Sequence, residues 1–176
     1  MASYVYPGCG FGGYCLPKDT LSLYRYSQKL GRESTLLGGV LSVNARTKRA
    51  FAERVVAAAG PKAKVAVLGL AFKPGSDDVR ETPAADIIAH LLDLGVTDIV
   101  AYDPLAISRF REAYGFPIRY AHSLEEALKG RDLAALVTAW PEFTARQLLF
   151  EHVQVIDGRY CLGKRELVLQ TQLRRS

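Results

Sequence analysis

Apolar residues along this chain follow two periods, and the change between them falls at Gly60-Pro61. Before it, residues 19–59 read as helical. Asp19 or Thr20 is expected to cap a first helix ending near Gly31, and Ser34 or Thr35 a second. In that second helix Leu37, Val40, Leu41, Asn44, Lys48, Phe51, Val55 and Val56 recur at three- and four-residue steps. The pattern is one apolar stripe interrupted by Asn44. A helix of about 25 residues runs roughly 37 Å. A stripe that long needs something to pack against, and a partner subunit is the expectation.

Beyond Gly60-Pro61 short apolar runs alternate with helical patterns. Strands are expected at 64–70 (KVAVLGL), 98–102, 133–138 (LAALVT) and 153–157 (VQVID), and helices at 83–95, 106–114 and 123–129. Strand-helix alternation with continuously apolar strands predicts an α/β fold: a long helical segment, then a Rossmann-like parallel sheet with helices on both faces. Ligands of such sheets sit at the carboxyl ends of the strands. Here those positions are 69–73, Asp103, 138–140 and 157–159.

Composition narrows the field. Half the residues are hydrophobic (49%), enough for a core. No run of roughly 18 apolar residues suggests a membrane span. The first residues lack the basic-then-apolar pattern of a signal peptide. Lys and Arg exceed Asp and Glu by 23 to 18, a net charge of +5 that favours anionic partners. The basic residues are scattered and form no nucleic-acid motif, so a nucleic-acid binder is not expected. The cysteines are Cys9, Cys15 and Cys161, an odd number at no zinc spacing. A reducing, cytoplasmic compartment and a metal-free chain follow as expectations.

Residues 1–18 are glycine-rich and aromatic. Gly8-Cys9-Gly10-Phe11-Gly12-Gly13 formally matches the dinucleotide-binding G-x-G-x-x-G. That fingerprint needs a strand before it and a helix opening from it. Tyr14-Cys15-Leu16-Pro17 does not read as such an opening, so the motif is not expected to be a phosphate loop.

Two longer motifs carry a family resemblance. Residues 10–20, Gly-Phe-Gly-Gly-Tyr-Cys-Leu-Pro-Lys-Asp-Thr, resemble the catalytic-cysteine loop of the UDP-glucose/GDP-mannose dehydrogenase family. Residues 69–84, from Gly69-Leu70-Ala71-Phe72-Lys73 to Arg80-Glu81-Thr82-Pro83-Ala84, resemble its C-terminal domain signature. Tyr102-Asp103-Pro104, residues 138–143 and Asp157-Gly158-Arg159 follow in the family's order. The Tyr-Cys-Leu-Pro-Lys-Asp-Thr form is closest to the UDP-glucose 6-dehydrogenase branch. The UDP-N-acetylmannosamine branch carries His-Cys-Ile-Pro-Val-Asp there, whereas GDP-mannose enzymes share much of the loop.

The resemblance implies a division into a catalytic-cysteine loop (1–18), a central helical dimerisation segment (19–60) and a C-terminal UDP-sugar-binding domain (61–176). It implies a homodimer through residues 34–59. It also implies that the family's N-terminal NAD-binding domain lies outside this sequence, so that these residues alone are expected to be inactive. The implied reaction oxidises a sugar alcohol to a carboxylate with two NAD⁺, through a cysteine thiohemiacetal and a thioester. Cysteine suits this role because its thiolate is strongly nucleophilic and its thioester hydrolysable.

Residue roles follow from the same resemblance. Cys15 matches the nucleophile, with Lys18 and a helix N-terminus near Asp19 expected to lower its pKa. Asp19 matches an aspartate that assists acid–base steps; read locally it is a helix cap. Lys18 and Arg80 match cofactor-contacting positions; read locally Lys18 is solvated and Arg80 pairs with Asp77, Asp78 or Glu81. Tyr4, Phe11, Gly12, Phe72, Lys73 and Arg159 match substrate-binding positions. Phe72 read locally is equally a core residue. Cys9 and Cys161 are read as structural.

Overall fold

The computed structural model describes residues 8–32 and 34–163. Two helices, α1 (Cys15–Lys29) and α2 (Thr35–Ala59), lead into five parallel strands: β1 (Val65–Leu68), β2 (Ile99–Tyr102), β3 (Arg119–Tyr120), β4 (Leu133–Leu136) and β5 (Gln154–Asp157). Between the strands lie α3 (Pro83–Asp93), α4 (Ile107–Tyr114), α5 (Leu124–Leu128) and α6 (Pro141–Ala145), the last followed by a 3-10 turn, Gln147–Phe150. The strand order is β3-β2-β1-β4-β5, every pair parallel. The order reverses after β3, so right-handed crossovers put the connections before and after the reversal on opposite faces. This is the expected α/β sheet, and its switch point lies between β1 and β4.

The central strands are apolar because both of their faces are covered. Every residue of β1, β2 and β4 is buried. The edge strand β5 is partly exposed, and its sequence shows it with Gln154 at the start. Helix ends follow local chemistry. Ser34 Oγ accepts from Leu37 N–H at the start of α2, and Thr82 Oγ1 from Ala84 N–H at the start of α3, where Pro83 takes the first helical position. α2 runs 25 residues and stops at Gly60, whose N–H bonds to Val56 O at 2.7 Å.

Two expectations are corrected. First, α1 opens at Cys15, not at Asp19 or Thr20, and Tyr14 at its cap makes no side-chain capping bond. Pro17 sits in the first turn, where backbone N–H groups lack intrahelical partners anyway, so the proline does not delay the helix. Second, Lys48 in the α2 stripe is a buried charge, not an apolar contact. Beside it Phe51, Ala52 and Val55 enter the sheet core, while Val40 faces solvent. β3, α6 and the 3-10 turn were not foreseen; a two-residue strand and five-residue helix are too short to leave a period. Among the described residues no helix is long and apolar enough to cross a membrane.

Candidate functional site

Loop residues 8–13 cross the carboxyl ends of β4 and β5 and then reach the 71–83 loop. Each step is fastened. Cys9 is buried, its Sγ 3.5 Å from Val137 O. Arg159, just past β5, donates Nη2 to Gly10 O at 3.2 Å and Nε to Val137 O at 2.6 Å. Phe11 pairs with Asn44 of α2 through both of its backbone polar groups. Gly12 lies against the Glu81 carbonyl so closely that a Cβ there would stand 2.1 Å from the oxygen. Gly13 N–H donates to Arg80 O at 3.1 Å.

This strap delivers Cys15 to the positive end of α1, exposed to solvent. A cleft of about 410 Å³ opens beside it, lined by Gly12, Gly13, Tyr14, Cys15 and Leu16 from one side and Phe72, Lys73, Ser76, Asp78 and Arg80 from the other. Two motifs more than 50 positions apart in sequence thus form one site. A larger depression of about 640 Å³ lies past Asp78 and Arg80 and is lined by Asp77, Arg109 and Glu112. Cys15 lines the smaller cleft and not the larger depression.

Two of the charges lining the cleft, Asp78 and Arg80, pair with each other. Arg80 forks onto Asp78 at 2.6–3.1 Å and stacks 4.4 Å over the Tyr14 ring. The Arg80 guanidinium holds the Asp78 carboxyl below the usual carboxylate range. Asp77 turns the other way, to Arg109 at 2.7 Å. Lys73 is exposed and lies 5.4 Å over the Phe72 ring. Lys18 pairs with Asp19, both on the exposed face of α1, and its ammonium reaches 5.2 Å from the Tyr14 ring.

Of the residues singled out from sequence, Cys15, Gly12, Phe72, Lys73 and Arg80 share the cleft. Lys18 and Asp19 stand one turn along α1, outside its lining, and Asp19 is not a helix cap. Phe11 is part of the strap, and Tyr4 lies outside the described residues. Arg159 holds two backbone carbonyls of the strap and of the β4 end. The close backbone approach at Gly12 is to Glu81 of the chain itself.

The thiols differ in setting. Burial pushes the Cys9 thiol up, and burial with nearby Asp157 pushes Cys161 up to about 12. Both are neutral near pH 7, in keeping with packing roles. Cys15 is the exposed one. Among the described residues no three of His, Cys, Asp or Glu are grouped to hold a metal ion.

Sequence reading placed Asp103 at a strand end but missed its part as the buried carboxylate that ties the strand ends together. Asp103 accepts from Leu70 N–H (2.7 Å), Ala71 N–H (3.0 Å) and Trp140 Nε1–H (2.9 Å) through Oδ2, and from Leu105 and Ala106 N–H through Oδ1. It thereby joins the ends of β1, β2 and β4 directly behind Phe72 and Lys73. Thr138 adds a 2.6 Å bond to Ala71 O. The available signal was Asp103 at a strand end before Pro104; its partners, up to 37 positions away, left none.

Comparison with known proteins bears on this geometry. Residues 66–164 match the UDP-binding domain of the UDP-glucose/GDP-mannose dehydrogenase family, and residues 1–46 match that family's central domain. The chain is 39% identical over 170 residues to the UDP-glucose 6-dehydrogenase AglM of Haloferax volcanii, covering 94% of this chain and 39% of that protein. It is 33% identical over 171 residues to TuaD, a UDP-glucose 6-dehydrogenase of Bacillus subtilis, covering 93% and 37%. The solved UDP-glucose dehydrogenase of Pyrobaculum islandicum superposes with a TM-score of 0.80 at 34% identity, covering 90% of this chain and 37% of that one. A GDP-mannose dehydrogenase from Pseudomonas aeruginosa shares the fold, with a TM-score of 0.77 at 24% identity. The chain thus spans under two-fifths of the length of these relatives.

Proposed function

The chain belongs to the UDP-glucose/GDP-mannose dehydrogenase family, and from that premise we propose that it is the cysteine-bearing, sugar-nucleotide-binding portion of an NAD-dependent UDP-glucose 6-dehydrogenase. The observation that carries this reading is the cleft in which Cys15 meets Phe72, Lys73 and Arg80.

In this reading the Cys15 thiolate holds the oxidised sugar carbon, first as a thiohemiacetal and then as a thioester, which water opens to the acid. Its sulfur stands exposed in the first turn of α1. Lys73 meets substrate phosphate as an exposed cation, with Phe72 beside it, and Phe11 and Tyr4 complete the sugar-nucleotide contacts. Asp19, one turn from Cys15, assists proton movement. Arg80 and Lys18 are solvent-accessible cations near the thiol, a donor set that fits the pyrophosphate of NAD⁺. When bound, NAD⁺ takes up the hydride in each oxidation.

The division into cysteine loop (1–18), dimerisation segment (19–60) and UDP-sugar domain (61–176) belongs to the same proposal. So does a homodimer through residues 34–59, supported by Leu36, Val40 and Val43 facing solvent on α2. An NAD domain contributed by further sequence and a cytoplasmic setting, consistent with three free cysteines, complete it. A second reading describes these residues taken alone: a sugar-nucleotide-binding and dimerisation module without catalysis. It is favoured by the strap amides of Phe11 and Gly13, which are taken by Asn44 and Arg80 and not free to cradle a phosphate.

Calorimetric titration with UDP-glucose, UDP, GDP-mannose and NAD⁺ tests the proposal. Binding of the UDP ligands without GDP-mannose is expected, and no binding of UDP ligands counts against it. The isolated chain is expected to form negligible NADH from UDP-glucose, and measurable NADH would overturn the need for an additional NAD domain.

A further inference from the structure

Asn44 is the polar interruption in the stripe of α2, and the fold gives it one specific partner. Phe11 N–H donates to Asn44 Oδ1 at 2.8 Å, and Asn44 Nδ2 donates back to Phe11 O at 3.1 Å. A short side chain with a donor and an acceptor in one plane is required for this. Aspartate lacks the donor, and leucine lacks both groups.

One turn further along α2, Lys48 is buried and ion-pairs with Asp86 of α3 at 2.5 Å. Together Asn44 and Lys48 form a ridge on which Gly10 rests. A Cβ on Gly10 would stand 2.8 Å from Lys48 Cγ and 3.0 Å from Asn44 Oδ1, and Gly10 holds a φ of +107° that side chains rarely adopt. Arg159 pins the same residue from the β5 side. Cys9, just before this seat, is 2% exposed.

We propose that Asn44 is a positioning residue for Cys15. It seats the 8–13 strap on α2 and so fixes where α1, with the thiol in its first turn, begins. The inference rests on the use of Cys15 proposed above. It also ties the cysteine's location to the helix that carries the exposed stripe Leu36, Val40 and Val43.

The discriminating variant is Asn44→Asp. A carboxylate keeps the acceptor for Phe11 N–H but sets a second oxygen against Phe11 O. A protonated carboxyl regains an O–H donor and restores both bonds. The charged groups around the seat are Lys48 on α2, Asp86 on α3, Asp157 at the end of β5 and Arg159 just past it. Recovery is therefore expected as pH falls through the carboxylate range, about 3 to 5. Arg80 holds the Asp78 carboxyl, and Arg131 with Arg119 the Asp98 carboxyl, below the ordinary aspartate value.

Cys9 reports the strap's position. Labelling with a dithiodipyridine reagent, which reacts in acid as well as at neutral pH, is quantified at each cysteine by mass spectrometry. Asn44→Asp is expected to label at Cys9 roughly tenfold faster than wild type at neutral pH, the effect of losing one buried hydrogen bond, and to return to the wild-type rate in acid. Asn44→Leu is expected to label fast at both pH values while its melting temperature holds or rises, since leucine extends the apolar stripe. Gly10→Ala should behave as Asn44→Leu does in labelling.

Wild-type labelling by Asn44→Asp at neutral pH, or excess labelling that persists unchanged in acid, would overturn the proposal. Titration of the same samples with UDP-glucose separates the two claims. A wild-type chain that fails to bind sinks the functional reading and leaves the labelling result to decide on Asn44. Equal binding by wild type and a strap-released variant overturns the positioning role alone.

Discussion

Thr35 to Val43 and Lys48 to Val55 are stretches of one helix, both rich in apolar residues, and the fold treats them oppositely. In the first, Leu36 is 76% exposed and Val43 51%; in the second, Phe51, Ala52 and Val55 are 3% exposed or less. The second half packs with α3 and the sheet, and its ion pair to Asp86 crosses between the two helices. The first half meets α1, a helix that buries none of its own residues. Apolar periodicity thus marks a face that needs cover without saying whether the chain itself supplies it. Asn44 stands where one half gives way to the other.

Substitutions along α2 break this comparison most strongly in the buried half. Phe51→Ala is expected to cost about 3–5 kcal/mol in urea denaturation, the range for emptying a core aromatic site. Asp86→Ala, which leaves the Lys48 ammonium buried without its carboxylate, is expected to cost about 1–3 kcal/mol. Lys48→Met should cost less than Asp86→Ala, because no unpaired buried charge remains. The double substitution Leu36→Glu with Val43→Glu is expected to change unfolding free energy by under about 0.5 kcal/mol. If the exposed half is a self-association face, the same variant will be monomeric by light scattering where wild type is dimeric. Loss of several kcal/mol from that variant without any change in mass would erase the distinction between the halves.

What the sequence made legible follows the range of the interactions involved. The strand runs VAVL, IVAY and LAAL are readable because burial on both faces demands a continuous apolar string. The starts of α2 and α3 are readable because a serine or threonine caps within two or three residues. The start of α1 was not, since no side chain caps it and Pro17 reads as a break. The local reading that Arg80 pairs with a neighbouring acid holds, and the structure selects Asp78. The candidate cleft was legible only through two long motifs, because nothing local says that Cys15 and Lys73 share a space. Asn44, Lys48 and Asp103 could be noticed as polar residues in unexpected places. Their meaning lay with partners between 32 and 38 positions away.

The strap has a further consequence for how the molecule is made. Gly10 is held by Arg159, 149 positions later, and Cys9 bonds to a carbonyl 128 positions later. A ribosome adding roughly 5–20 residues per second needs about 7–30 s to cover that interval. Until then the earliest-made described segment has no β5 turn to close it, and the contacts that finish it are among the most distant in the chain. Birth order and docking order are therefore inverted. For those seconds Cys9 is as open to oxidants as Cys15, and its protection awaits residues made 128 to 149 positions later.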